Sequence, residues 1–362
     1  MTMISLRFKF LLVLFLASHL AFAIDKVIDG SAGTDSLVIA YSGISNLSDF
    51  SISESGDYTV LTDSNGDTIQ FKNVENLTVG SHAYTNDASA DTFWNSSEYV
   101  LYMYSGGNTS SSDITSLSGF SGTANLSVVG SASADTMNIN LDRRAGESNS
   151  FSGNWTINLA AGNDVLNSAR LKNGDSIDMG AGDDTVSILL AGSNGAATIA
   201  NANLAKLDGG AGWDTLNFQE SGSSTTAINF STANATNFEA IIGTAGNETI
   251  TGDANANFIA GGQYGSSDTA NDTLNGAAGD DVLLGSNGCS GCSGDKYAFI
   301  KQYWPYANNY TTEGTFRNGS AVYLENNGNA TLNGGAGNDF LWGAQGEDTL
   351  DGGTGQDHLI GG

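Results

Sequence analysis

The chain predicts an all-β fold: a right-handed parallel β-solenoid in which an irregular β-helix continues into a regular β-roll. Three observations lead there. A glycine-rich unit of nine residues recurs along the sequence, each copy closes on a short run of strand character, and period-two alternation of apolar and polar residues fills the N-terminal part. One such unit cannot bury an apolar face alone and gains a core only by stacking on its neighbours. Length therefore says little about the number of domains.

The C-terminal copies are the clearest. GGAGNDFLW from Gly334, GAQGEDTLD from Gly343 and GGTGQDHLI from Gly352 follow one another without a gap. Asp339, Asp348 and Asp357 stand at position six, and Leu341, Leu350 and Leu359 at position eight. A second block keeps the frame with GTAGNETIT from Gly243, GDANANFIA from Gly252, a unit that starts at Gly261 and resumes at Asn271 as NDTLN, and GAAGDDVLL from Gly276. Looser copies begin at Gly30, Gly130, Ala160, Gly180 and Gly209.

The spacing has a physical reading. Small residues at positions one to four allow a tight turn in which glycine takes positive φ and carbonyls converge. The position-six carboxylate adds to those carbonyls and makes the all-oxygen shell that Ca²⁺ prefers. Three strand residues follow, with an inward apolar side chain at position eight. Turn, strand, turn, strand closes a coil of about 18 residues.

These residues resemble the repeats-in-toxin family, whose consensus is GGxGxDxUx. The likeness is closest over residues 237 to 284 and 331 to 362, and the segment from Asn237 to Gly262 looks like the start of such an array. The resemblance implies calcium ions held between alternate repeats on one edge of a roll, hence partners two repeats apart. Asp339 and Asp357 then form the best pair, with carbonyls of Gly334, Gly337, Gly352 and Gly355 as co-ligands. Asp348, with Gly343 and Gly346, falls on the opposite edge, where its partner position is Ala330 or lies past the end of the sequence. In the central block Glu248 faces Asp272 across an insertion near Gln263 to Ala270, and Asn257 faces Asp281 with Gly276 and Gly279. Asp164, Asp184 and Asp214 sit at intervals that break a strict coil. They read either as turn caps bonded to the backbone or as ligands, and Asp214 is kept among the candidates.

Residues 1 to 23 have the form of an export leader. Arg7 and Lys9 precede the apolar stretch Phe10 to Leu16, and Ala21-Phe22-Ala23 offers a cleavage site, so the mature chain would start near Ile24. The apolar run is shorter than the roughly 20 residues a membrane span needs, and no second such run follows, so no transmembrane segment is expected in the mature chain. The relatives implied by the resemblance usually carry a C-terminal export signal instead. Beyond the leader we expect a degenerate β-solenoid or β-rich spacer over 24–158, a β-helix passing into the β-roll over 159–287, an insertion over 288–330 and the last repeats over 331–362. The alternation in YTVL at Tyr58 and TIQF at Thr68, and the Asp residues ahead of apolar positions at Asp35, Asp67, Asp91 and Asp135, favour the same solenoid continuing into the N-terminal part.

Charge and chemistry narrow the function. The chain has 12 basic and 39 acidic residues, a formal net charge of −27, which excludes nucleic acid as a partner and suits a divalent cation. HExxH, GxSxG and a phosphate-binding glycine loop are missing from the sequence, and His82 and His358 are the only histidines beyond the leader. Cys289 and Cys292, the only cysteines, predict a local disulfide in an exported chain. The aromatic run Tyr297, Phe299, Tyr303, Trp304, Tyr306 and Tyr310 is either a plug over a coil edge or a face for sugar or another protein. The reading is a non-enzymatic calcium-binding β-roll protein, secreted, at the cell surface or in the periplasm, that folds on binding Ca²⁺. A structural or adhesive protein that binds a surface polysaccharide, ice or a surface protein is the alternative, and a polysaccharide-acting β-helix enzyme a third.

Overall fold

A computed structural model describes residues 11–16, 26–139, 151–169, 171, 174–190, 206–220, 229–231, 235–244, 246–261, 270–285, 328–343 and 346–361. The leader's cleavage site, Cys289 and Cys292, and the aromatic run after them lie outside these residues. Two compact units divide the chain, 1–137 with 144–164 and 138–143 with 165–362. Helix among the described residues is confined to Leu47–Asp49 and Ser111–Ser116, and no helix there is long and apolar enough to cross a membrane.

The C-terminal unit is a parallel β-solenoid. Each strand pairs with the one two strands further along, so successive turns throw the chain alternately into two sheets. One contains Ala240–Ile242, Phe258–Ala260, Val282–Leu284, Phe340–Trp342 and His358–Ile360 in parallel register. The other contains Asn229–Ser231, Thr249–Thr251, Thr273–Ala278, Thr331–Ala336 and Thr349–Thr354. Position eight fills the space between them. Ile241, Ile259, Leu283 and Leu341 from the first sheet and Ile250, Leu274 and Leu332 from the second are all completely buried.

Alternation sends positions seven and nine outward, and here the two sheets differ. In the second sheet Thr249, Thr331 and Thr349 are exposed. In the first, the outward residues Ala240, Ile242, Phe258, Ala260, Val282, Leu284 and Phe340 form a separate buried cluster, with Trp213, Trp342 and Ile360 packed against it. The roll is apolar on both sides of one sheet and on only one side of the other.

The N-terminal unit departs from the expectation of degenerate coils. Ser36–Tyr41 pairs in parallel with Asn76–Val79, as a solenoid would, but Asn76–Val79, His82–Asp87, Thr92–Asn95 and Val100–Met103 then run antiparallel. Val100–Met103, Leu126–Val129 and Trp155–Asn158 return to parallel pairing. A smaller sheet joins Lys26–Asp29 in parallel to Thr68–Lys72 and continues antiparallel through Tyr58–Asp63 to Phe50–Ser55. Tight turns at Gly56 and Gly66, both at positive φ, make these hairpins, which need only a few connecting residues. Leu11–Leu16, the apolar stretch of the expected leader, lies as a strand parallel to Ser36–Tyr41. The core of this unit is rich in aromatic residues and includes Phe71, Phe93, Tyr84, Tyr102 and Tyr104.

Candidate metal centres in the turns

The position-six side chain of each repeat leaves its turn just before a strand, and the parallel register stacks these side chains into columns along the two edges of the roll. Glycine at position one makes the room. A methyl group built on Gly276, Gly334, Gly343 or Gly352 would land on the Oδ2 atom of Asp281, Asp339, Asp348 or Asp357 respectively. Gly279, Gly337 and Gly355, at position four, hold φ of 106°, 147° and 145°, which other residues reach only under strain.

The two carboxylate oxygens have different surroundings. Oδ1 accepts the backbone N–H of the position-six residue in the preceding coil. Asp357 accepts from Asp339 at 3.0 Å, Asp339 from Asp281 at 2.8 Å and Asp281 from Asn257 at 2.8 Å. Further along the same edge Asp214 accepts from Asp184 at 2.8 Å, and Glu239 Oε2 accepts from Asp214 at 2.8 Å. On the opposite edge Asp272 accepts from Glu248, and Asp348 from Ala330, each at 2.9 Å. One oxygen thus stitches coil to coil. Oδ2 of Asp214, Asp281, Asp339 and Asp348 is buried within its turn and has no hydrogen-bond partner.

A buried carboxylate oxygen without a partner costs folding free energy unless a cation or a proton meets it. The titration behaviour agrees. Burial, reinforced by the neighbouring Asp339, pushes the Asp281 carboxyl up to about 8 against the opposing hydrogen bond from Asn257. Burial likewise raises Asp214 to about 8, with Asp184 and Glu239 adding repulsion, and Asp339 to about 6, with Asp357 adding its charge. Glu239 is raised by burial as well.

Among the described residues no three His, Cys, Asp or Glu side chains gather in one group. A cation in these turns would therefore take one or two carboxylates and complete its shell with backbone carbonyls, the donor set of a hard, oxygen-seeking ion such as Ca²⁺. Asp281, Asp339 and Asp357 would supply such carboxylates on one edge, and Glu248, Asp272 and Asp348 on the other.

Asp339 and Asp357 stand in adjacent coils 18 residues apart, as do Asn257 and Asp281, and Glu248 and Asp272, at intervals of 24. Asp348 meets the amide of Ala330, which brings no side-chain oxygen. The sequence reading missed that Asp281 and Asp339, 58 residues apart, are also neighbours, because the column resumes at Thr331–Ala336 in register with Thr273–Ala278. It missed Glu239 too, which closes the stack above Asp214. The spacing of 25 residues conceals that contact, and its one local signal is an Asn-x-Glu sequence ahead of a strand.

Comparison with known families matches the model of the RTX calcium-binding nonapeptide repeat in four copies, over residues 239–263, 266–288 and 326–359. The chain carries RTX calcium-binding repeats along this stretch. No curated protein matches the chain.

Proposed function

We propose that this is a secreted or cell-surface calcium-binding β-roll protein without enzymatic activity, whose repeat region folds when Ca²⁺ binds. The observation that carries the reading is the set of buried, partnerless Oδ2 atoms at Asp214, Asp281 and Asp339 on one edge and Asp348 on the other, at turns where glycine leaves space beside them. The bound ion supplies positive charge between carboxylates that otherwise repel. A site that does not exist in the unfolded chain turns binding free energy into folding free energy. The leader-like N-terminus supports export. Extracellular calcium modules work at about 0.1 to 1 mM, so a chain of this kind would stay unfolded in a calcium-poor cell and fold outside it.

The test is far-ultraviolet circular dichroism of the full chain during a calcium titration, followed by EDTA. We expect β-structure to rise with calcium and fall with chelation. A spectrum that stays native through both steps overturns the switch.

The alternative of a structural or adhesive surface protein draws on the outward threonines of the second sheet. Thr249, Thr273, Thr331 and Thr349 lie in one register across four strands and give a neutral, hydroxyl-bearing strip on an acidic molecule. A polysaccharide pull-down with wild type and with Thr331→Lys separates this reading from calcium binding alone: binding lost in the variant supports it, and no binding by wild type removes it.

A further inference from the structure

The turn from Asp29 to Asp35 in the N-terminal unit repeats several contacts of a turn in the C-terminal unit, Asp208 to Asp214. Gly30 N–H donates to the Lys72 carbonyl at 3.0 Å, as Gly209 N–H does to that of Thr236 at 3.0 Å. The Asn73 amide donates to Asp29 at 2.7 Å, and the Asn237 amide to Asp208 at 2.7 Å. Both asparagines are left-handed, at φ of 53° and 58°, and Gly33 and Gly212 match at 153° and 147°. A methyl group on Gly30 or Gly209 would strike the carbonyl oxygen of Asn73 or Asn237. Two residues past each asparagine comes a glutamate. Glu75 Oε2 accepts the Asp35 N–H at 2.7 Å, and Glu239 Oε2 accepts the Asp214 N–H at 2.8 Å.

The likeness extends to the atom that matters. Asp35 is 4% exposed, and its Oδ2 is buried with no hydrogen-bond partner, like that of Asp214. Oδ2 lies in the turn, the nearest atom to a methyl group built on Gly33. Lys72 pairs with Asp29 and His82 with Glu98, and among the described residues no basic side chain pairs with Asp35 or Glu75. Another turn of this pattern in the N-terminal unit, at Asp135, behaves differently. Asp135 receives the Ser131 N–H on Oδ2 at 2.6 Å and the Ser131 hydroxyl on Oδ1 at 3.1 Å, so both of its oxygens are satisfied by protein.

We propose that the Gly30–Asp35 turn, with the Asn73 carbonyl and Glu75, is a calcium site of the N-terminal unit. It lies far outside the residues matched by the RTX repeat, and its donors are again two carboxylates and a carbonyl, a set suited to a hard divalent cation. It goes beyond the repeat reading, since it places an ion in a sheet of mixed strand direction.

The full chain is compared with Asp35→Asn, Glu75→Gln and Asp135→Asn. Bound Ca²⁺ per chain is counted by equilibrium dialysis, and amide hydrogen exchange is followed with and without calcium. We expect Asp35→Asn and Glu75→Gln each to bind one ion fewer and to lose the calcium-dependent protection of residues 30–35 and 76–79, with protection of the C-terminal repeats unchanged. Asp135→Asn keeps the wild-type count. An unchanged count in Asp35→Asn overturns the site, and so does an equal loss in Asp135→Asn, because the count would then follow the folding of the unit. Wild type that binds no calcium at all refutes the repeat reading and this site together, whereas wild type that binds it only in the repeats refutes this site alone.

Discussion

At the scale of single residues, one aspartate does two jobs. Its Oδ1 takes a backbone N–H from the preceding coil, and its Oδ2 faces the turn, so on the proposed reading substitution removes a stacking bond and a ligand together. Asp339 stands between Asp281 and Asp357 and contributes to the gap on either side of it, whereas Asp348 faces only the backbone of Ala330. Asp339→Asn should therefore raise the calcium midpoint of folding by at least the roughly tenfold that even an outer-shell partner of a metal is worth. Asp348→Asn should shift it less. A circular dichroism titration of the two variants decides the matter, and equal midpoints would refute the pairing drawn from the columns.

At the scale of the element, the column of carboxylates should let acid and calcium substitute for each other. The Asp281 and Asp214 carboxyls rise from an ordinary 3.8 to about 8 in the folded chain. A carboxyl with a raised folded-state value favours the folded state fully below 3.8, and this contribution is lost as pH climbs through about 8. In EDTA the repeat region should thus be more ordered at pH 5 than at pH 8.5, and Asp281→Asn should flatten that dependence. With calcium present the sign reverses. Each ion must displace the protons, so the midpoint should rise as pH falls below about 8, by on the order of tenfold per pH unit for each proton displaced. Thermal melts at the two pH values check the first statement, and an apo chain that melts identically at both refutes it.

The same columns show how far the sequence could be read. Position six, position eight and the glycines of the turn follow from local chemistry, so the roll and the neighbours Asp339 and Asp357 were legible. The contact of Asp281 with Asp339 was not, because lengthening the chain between two stacked units costs little extra closure entropy and erases the regular spacing that would reveal them. The apolar outer face was legible in principle, since FIA, VLL and FLW in one sheet contrast with TIT, TLN and TLD in the other. Counting only position eight passed over it. The antiparallel strands of the N-terminal unit escaped for another reason: alternation has the same period in parallel and antiparallel sheets, and only the turns distinguish them.

At the scale of the whole molecule, the two units rest on different sources of stability. The core from Phe50 to Tyr104 in the N-terminal unit is held by aromatic packing, with Phe93 and Tyr104 at 4.9 Å and Tyr84 and Tyr102 at 5.8 Å between ring centres. The C-terminal roll places an acidic or amide side chain in turn after turn, and several of its carboxylates have an oxygen buried without a partner. Removing calcium should then act unevenly. In EDTA at pH 8 we expect amides of 58–63 and 92–104 to stay protected from hydrogen exchange while those of 273–284, 331–342 and 349–360 exchange freely. Calcium should restore protection to the second group, since an ion at 100 times its dissociation constant adds about 2.7 kcal/mol per site and several sites act on one stack. Uniform loss of protection on chelation would mean that the aromatic core cannot stand without the ion-bound roll. Uniform retention would mean that the carboxylates of the roll are satisfied without any ion.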